Sequence, residues 1–285
     1  MRMAAAMNPR AARGVKPQRA GSVVAARGVS VTAVEYVVLF ASALGAGAVN
    51  SVAGGGSLLT FPALLAVGVS PLSANATSTV ALVPGSAGAF WGYRELLKGD
   101  RATVVAMAAP SLVGGVLGAL LVLRTGDKTF GAMVPWLVLG ATLLFAAQGP
   151  IGRAVKRLKG PTTQPRSPIP LALFQLVVAV YGGFFGAGIG ILMLAALALR
   201  GEEDIHKANG LKNLAAVCIN GVATVTFVAS GRVSWTPALV MATGAVLGGW
   251  GGAGVARKLG QTTVRRIVLA VGFGLAALMF WRQFR

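Results

Sequence analysis

The most regular pattern along the chain is an alternation of long apolar stretches with short basic segments. Residues 36–93 contain no Asp, Glu, Lys or Arg, and six further charge-free stretches follow. These lie at 102–123, 129–152, 167–199, 213–231, 233–256 and 267–281. About 20 apolar residues at about 1.5 Å rise each cross a hydrocarbon core of about 30 Å. The pattern therefore predicts an all-α, polytopic membrane protein.

Within these stretches the hydrophobic segments form two sets of five. The first set lies at 33–50, 56–69, 73–93, 102–123 and 129–147, and the second at 170–187, 189–199, 208–230, 235–256 and 263–281. The second member of each set is short and follows a cluster of glycines. A segment this short does not span a bilayer alone, so we expect a broken or re-entrant helix in each set.

The two sets also match each other when the chain is shifted by 134 positions. Gly54 and Gly56 then fall on Gly188 and Gly190, and Asn75 falls on Asn209. The glycines at 114, 115 and 118 fall on those at 248, 249 and 252 in the same register. An odd number of crossings in each repeat makes the repeats inverted. Inverted repeats with broken helices are typical of secondary transporters, whose substrate site lies near the membrane midplane.

This organisation divides the chain into four parts. Residues 1–30 form a basic tail, predicted to be disordered, that lacks the compact apolar region of a cleaved signal peptide. The first transmembrane repeat covers 31–147 and the second covers 170–285. A basic, Pro-rich segment at 148–169 is predicted to be a linker loop between them.

The charged residues add to this picture mainly the orientation of the protein in the membrane. The 285 residues include 26 Lys and Arg against 7 Asp and Glu, a net charge of +19, yet only 12% of them are charged. Such an excess suggests a nucleic-acid partner only in a polar chain, so we expect the lipid bilayer as partner and no nucleic acid. Basic residues concentrate at 94–101, 153–166, 200–212 and 257–266. The positive-inside rule places these loops in the cytoplasm and both termini outside, although the tail is itself basic.

The inventory of reactive side chains argues against catalysis and against a cofactor or metal. Cys218 and His206 are the only residues of their kinds, so no His/Cys metal cluster is available. All seven acidic residues lie at or near the ends of apolar segments, and the run 202–206 is interpreted as a solvated loop. No buried base and orienting acid are present for nucleophilic catalysis. We therefore expect no enzyme activity.

The first candidate site consists of the two glycine breaks. One contains Asn50, Ser51, Gly54, Gly55, Gly56 and Ser57, and the other contains Gly188 and Gly190. If a half-helix restarts after each break, its amides and positive dipole end offer a place for an anion. The alternative is close packing of helices through small residues.

The second candidate consists of polar residues that enter the third segment of each repeat. Asn75, Thr77 and Ser78 lie in the first repeat, and Asn209, Lys212 and Asn213 lie in the second, followed by Asn220 two turns further along. Their amides and hydroxyls are suited to donate to the oxygens of an anion, or equally to bond between helices. Lys212 is either a fixed positive charge at the substrate site or a side chain that snorkels to the interface.

The glycine breaks carry a resemblance to a known family. Residues 47–65 resemble the first signature of the sulfite exporter TauE/SafE family of membrane anion transporters, and residues 182–190 resemble its second signature. Residues 209–235 are similar to a pattern of one branch of that family. Two positions depart from the repeat: Ala196 matches Pro62, and Ile189 matches Gly55. The resemblance implies transport of small sulfur-containing anions such as sulfite, sulfoacetate or related organosulfonates, usually by export.

Membrane energetics favour the same direction. An anion leaves a cell with a negative interior downhill, since one charge is worth about 2.3 kcal/mol per 100 mV. Uptake would need coupling, and no acidic residue lies mid-membrane to provide it. We therefore expect export by alternating access, in the cytoplasmic (inner) membrane of a bacterium. An anion channel and a non-transporting membrane scaffold remain as alternative functions at this point, and a homo-oligomer is left open as a partner state.

Overall fold

The computed structural model of the protein describes residues 32–52, 54–158, 167–259 and 261–283, and within these ranges it contains helices and no strands. The helices are α1 (Ala33–Val52), α2 (Ser57–Ala66), α3 (Pro71–Tyr93), α4 (Arg101–Ala146), α5 (Gln148–Leu158), α6 (Ile169–Phe184), α7 (Ile189–Arg200), α8 (Ile205–Ala229), α9 (Trp235–Leu259) and α10 (Gln261–Gln283). A short 3₁₀ helix, Arg94–Leu97, follows α3. The predicted all-α class is confirmed. The basic tail at 1–30 lies outside the described residues.

Each predicted hydrophobic segment corresponds to a helix, with one merger. The predicted segments 102–123 and 129–147 both belong to α4, which is interrupted at Gly126. Gly126 has φ +70° and ψ 165°, a conformation that glycine adopts without the steric cost of a side chain. We refer to 101–125 as the first part of α4 and to 127–146 as its second part.

The short segments form helical hairpins with the helices before them. α2 has 10 residues and α7 has 12, which gives lengths of about 15–18 Å, roughly half of a hydrocarbon core. Gly54 and Gly55 between α1 and α2 have positive φ, as do Gly186 and Gly188 between α6 and α7. The glycine clusters therefore reverse the chain, as the sequence predicts for re-entrant pieces.

The first helix of each hairpin packs along a helix of the other half of the protein. α1 packs along α9, and α6 packs along the first part of α4. A Cβ at Gly248 would overlap the carbonyl oxygen of Leu44, and a Cβ at Gly118 would overlap that of Val180. The glycines that let helices approach so closely belong to the two triplets related by the shift of 134 positions. The inverted relation of the repeats stays a prediction.

Polar networks mark the two ends of the bundle. At one end, the Asp127 carboxylate accepts hydrogen bonds from Ser70 Oγ (2.8 Å) and Leu72 N (3.2 Å), and it pairs with Arg232 (2.6 Å). We call this the Asp127 end. At the opposite end of α8, Lys207 pairs with Asp100 (2.9 Å) and Glu202 (2.8 Å).

The second of these ends carries the basic loops. Arg200 Nη1 donates to Thr103 Oγ1 there (2.7 Å), so the loops after α3 and α7 lie at the same end. We call it the basic end. Two of the four loops that the sequence assigns to one side of the membrane are therefore side by side.

The length and apolarity of the helices fit a membrane. In the described ranges, four helices contain segments long and apolar enough to span one, at Ala33–Asn50, Arg101–Ala146, Ile205–Ala229 and Arg265–Gln283. Large apolar side chains such as Val177, Val225 and Trp250 are exposed on the outside of the bundle. An outer surface of this kind is stable in lipid and not in water.

The linker between the halves differs from the sequence-based expectation. The segment 148–169 was expected to be a loop, but its first part forms α5. Ile151 and Val155, spaced four residues apart, turn towards the protein, whereas Arg153 and Arg157 are exposed. Pro150 falls in the first turn, where a helix tolerates proline. Residues 159–166 of the predicted linker lie outside the described ranges.

The glycine contact between α1 and α9 leads to a first prediction. Gly248→Ala is expected to lower the free energy of unfolding by about 1–3 kcal/mol, because the added Cβ forces the two backbones apart. Gly221→Ala, in α8, is the control: a Cβ there meets nothing within 4 Å. This control is expected to gain about 0.5–1 kcal/mol from helix propensity. Thermal unfolding in detergent tests the pair, and equal midpoints for the two variants would contradict the packing described.

Candidate functional site

The tips of the two hairpins touch each other inside the bundle. A Cβ built on Gly54 would lie 3.0 Å from the Cα atom of Gly190, a tighter approach than most Cβ atoms make. Gly54 also has φ +79°. Only glycine satisfies both conditions, so the two breaks meet because their residues have no side chains.

A small cavity of about 40 Å³ lies where the tips meet α3 and α8. It has room for only a few water molecules. The hairpins contribute Asn50, Gly54, Gly55, Ser57, Gly186, Ile189, Gly190 and Met193, and α3 and α8 contribute Leu82, Ser86, Lys212, Asn213, Ala216 and Asn220. We call it the tip cavity. Its lining combines amide, hydroxyl and ammonium groups with three larger apolar side chains.

Lys212 provides the positive charge of the tip cavity. Its side chain is 2% exposed, and Nζ donates a hydrogen bond to the backbone oxygen of Asn50 (3.0 Å). The ammonium group therefore lies inside the protein and does not extend to the membrane interface. Among the described residues that line the cavity, Lys212 alone is ionisable. A buried charge in a membrane helix is costly, which makes it a functional candidate.

Asn213 is the second polar group of interest. It is 3% exposed, and within the described part of the chain its Nδ2 has no hydrogen-bond partner. A buried donor without a partner costs about 1–3 kcal/mol. Asn220 lies two turns further along α8, and Ser86 faces it from α3. The cavity thus contains hydrogen-bond donors that the protein itself does not fully use.

Asn50 connects the cavity to the start of α2. Its Oδ1 accepts a hydrogen bond from the Gly56 amide (2.8 Å), which precedes the first residue of α2. Its backbone oxygen accepts the bond from Lys212. Asn50 therefore holds both sides of the first break together, since it lies in the last turn of α1 and its side chain binds the residue before α2.

The second break is held by a comparable bond. Asn75 Nδ2 donates to the backbone oxygen of Phe184, the last residue of α6 (3.0 Å). Under the shift of 134 positions, Phe184 corresponds to Asn50. A side chain from α3 therefore holds one hairpin and a side chain from α8 holds the other. The bond to the first hairpin is charged and the bond to the second is neutral.

Several residues predicted for the site lie outside the tip cavity. Thr77 Oγ1 accepts from the Ser234 amide just before α9 (3.0 Å), and Ser78 shares a hydrogen bond with Thr60 (2.6 Å). Asn209 Nδ2 donates to the Ile205 oxygen one turn earlier (2.9 Å). Together with Asn75, these residues make the bonds between and within helices that the sequence left open as their alternative role.

Gly56 and Gly188 belong to the breaks without lining the cavity. A Cβ at Gly56 would lie 2.6 Å from the Ala46 oxygen, so this glycine permits close packing of α2 on α1. Gly188 precedes α7 with φ +83° and packs near Leu144. Ser51 is the second-last residue of α1, and its side chain is outside the described part of the structure.

Ser86 is a lining residue that the sequence-based prediction missed. The shift that pairs the glycine breaks also pairs Ser86 with Asn220, since 86 plus 134 is 220. The repeat register was therefore a usable signal for it. Leu82, Met193 and Ala216 also line the cavity, but apolar residues in an apolar segment carry no signal of their own.

A narrow extension of about 10 Å³ adjoins the tip cavity and shares Asn50, Leu82, Ser86 and Asn213 with it. It runs between α1, α3 and α9 past Gly85 and Ala89. Because α3 ends at Tyr93, where the basic loops begin, this extension points towards the basic end.

Within the described ranges, no three His, Cys, Asp or Glu side chains come together to hold a metal ion.

The chain is similar to a group of bacterial membrane proteins. The family model described as Sulfite exporter TauE/SafE matches residues 39–279. The probable membrane transporter protein YfcA of Escherichia coli K12 is 30% identical over 250 residues, which cover 86% of this chain and 89% of that protein. A probable membrane transporter protein of Haemophilus influenzae is 28% identical over 261 residues, 90% of this chain and 97% of that protein. No solved structure matches the chain.

Proposed function

Because this chain belongs to the sulfite exporter TauE/SafE family and is an integral membrane transporter, we propose that it moves small sulfur-containing anions. Sulfite, sulfoacetate and related organosulfonates are the substrates proposed. The observation that carries this proposal is Lys212, a buried ammonium group in the cavity where the two hairpin tips meet.

The chemistry of the tip cavity suits a sulfur oxyanion. Such a group presents several oxygens that accept hydrogen bonds and carry negative charge. Lys212 supplies a full positive charge, Asn213 and Asn220 supply amide donors, and Ser57 and Ser86 supply hydroxyl groups. Charge-assisted hydrogen bonds of this kind are about twice as strong as neutral ones. No acidic side chain lines the cavity to oppose the anion.

Transport then follows from separation of the hairpin tips. The tip cavity is too small for a sulfonate with an organic group, so the tips part to admit one. α2 leads back to the loop at the Asp127 end, whereas α7 leads back to the basic end. Movement of the α1–α2 hairpin therefore opens the site towards the Asp127 end, and movement of the α6–α7 hairpin opens it towards the basic end. This is alternating access at a site between two broken helices.

Export is the direction that the charges favour. All seven acidic residues lie at helix ends or in connecting loops, away from the tip cavity. The site thus lacks the buried carboxylate that commonly couples uptake to protons. With the basic end in the cytoplasm of a bacterial inner membrane, an anion entering from that end leaves the cell down the membrane potential.

Proteoliposomes containing the purified protein test the proposal. Exchange of labelled sulfite or sulfoacetate is expected to saturate with concentration and to be accelerated by the unlabelled anion on the opposite side. A membrane potential that is positive on the receiving side is expected to drive net flux. Single-channel currents with non-saturating flux would favour an anion channel instead. Absence of both flux and anion binding would favour a non-transporting scaffold.

A further inference from the structure

A second, larger cavity lies on the outside of the bundle, between α6 and α7. Its volume is about 530 Å³, within the range of about 300–1,000 Å³ that is usual for ligand pockets. Its walls are Pro170, Leu171, Phe174, Leu192, Ala195, Ala196 and Leu199, and Ser167 and Arg200 complete the lining. We call it the α6–α7 groove. It does not share a residue with the tip cavity.

Two of the α7 residues that line the groove are small. Ala195 and Ala196 correspond to Phe61 and Pro62 of α2 under the shift of 134 positions. Phe61 is buried and packs edge-on against Phe185, with ring centroids 5.3 Å apart. Neither alanine can fill the equivalent volume. The first half of the protein therefore has a packed aromatic at the position where the second half has space.

The groove opens onto the part of the surface that faces lipid. Ile169, Leu173 and Val177 on α6 are all exposed and apolar, and Phe174 of the groove lies beside them. In a bilayer this face contacts acyl chains. An apolar groove in such a face has the shape and polarity to hold one chain along its length.

The positive charge at the groove lies at one end only. Arg200 is the last residue of α7 and lies at the basic end, where its Nη1 donates to Thr103 Oγ1. Because a guanidinium has five N–H donors, others remain for a second acceptor. α5 packs against α7 and exposes Arg153 and Arg157. The neighbouring Glu202 is already paired with Lys207.

We propose that the α6–α7 groove binds an anionic phospholipid, with one acyl chain between α6 and α7 and the headgroup phosphate at Arg200. The apolar walls account for the chain, and Arg200 at the basic end accounts for the negative headgroup. Basic pockets between transmembrane helices on the cytoplasmic side recognise anionic headgroups in this way. The site is independent of anion transport at the tip cavity.

Lipid titration of the delipidated full-length protein, followed by native mass spectrometry, tests this site. Phosphatidylglycerol is expected to bind more tightly than phosphatidylcholine with the same chains, and glycerol phosphate is expected not to bind. Arg200→Gln should lower the affinity for phosphatidylglycerol about fivefold, the loss expected for one basic side chain near an anionic headgroup. Ala195→Phe should lower the affinity for both lipids by at least about tenfold, since the ring displaces buried methylene groups of the chain.

Two matched controls separate the groove from general lipid contact. Val177→Phe adds an aromatic to α6 outside the groove, and Arg282→Gln removes an exposed charge near the far end of α10. Both are expected to keep wild-type affinity. If Ala195→Phe fails to fold, the lipid affinities of Ala196→Leu and Arg200→Gln test the proposal in its place. Wild-type affinity in the groove variants, or binding of glycerol phosphate as tight as that of the lipid, would overturn the proposal.

Discussion

Replacing Lys212 by methionine is expected to lower anion affinity by about 10- to 100-fold. The loss corresponds to one hydrogen bond from a charged group, worth about 1.5–3 kcal/mol. Methionine keeps much of the volume of the lysine side chain, so the surrounding helices have little reason to shift. The measurement is anion-dependent thermal stabilisation of the purified protein, since a ligand that binds the folded state raises its midpoint. Sulfite, sulfoacetate and methanesulfonate are suitable probes.

The control for this change is Lys207→Met on the same helix. Lys207 pairs with Asp100 and Glu202 at the basic end, far from the hairpin tips. Its loss should lower the midpoint without anion slightly and leave the stabilisation by anion intact. If Lys212→Met binds and transports the anions as the wild type does, Lys212 only ties α8 to the end of α1. The proposed substrate site would then be wrong.

The second large effect is expected for Gly54→Ala. The substitution forces an alanine into φ +79°, which costs about 1–2 kcal/mol, and it pushes a Cβ against the backbone of Gly190. The crowding adds about 1–3 kcal/mol. We therefore expect a loss of about 2–5 kcal/mol in the free energy of unfolding, together with loss of transport, because the hairpin tips no longer close on each other.

Gly68→Ala isolates the contribution of the contact between the tips. Gly68 has φ +83°, nearly that of Gly54, but a Cβ there meets nothing within 4 Å. The free energy of unfolding of this variant should fall only by the backbone cost of about 1–2 kcal/mol, and transport should be retained. The two variants are compared by unfolding in detergent and by flux in proteoliposomes. Equal stability and equal flux would mean that contact between the tips is unimportant.

Much of the fold was predictable because helices that span a membrane are long, apolar and free of charged residues. Each hydrophobic segment became a helix, and the glycine clusters before 57 and 189 correctly predicted the two short ones. The linker was harder. α5 is held by two apolar residues, Ile151 and Val155, in a segment rich in arginine and proline. Its helix depends on packing against α7, which the local sequence does not reveal.

The site was predictable only in part, because polar side chains in a membrane protein have two uses. Lys212, Asn213 and Asn220 reach the tip cavity, whereas Asn75, Thr77 and Ser78 bond to other parts of the protein. Asparagine occurs in both groups, so the residue type alone does not distinguish them. What separates them is whether the side chain faces the space between the hairpin tips, and this depends on how the hairpins cross α3 and α8.

The unequal bonds at the hairpin ends have a consequence for the resting state. Lys212 occupies the position that Ser78 has in the other repeat, and it fixes the α1–α2 hairpin through a charged bond. The α6–α7 hairpin is fixed by the neutral bond from Asn75. A charged hydrogen bond contributes about 1.5–3 kcal/mol and a neutral one about 0.5–1.5. The two open states therefore differ in free energy: before the anion arrives, the protein opens more readily towards the basic end, and binding at Lys212 reduces this preference.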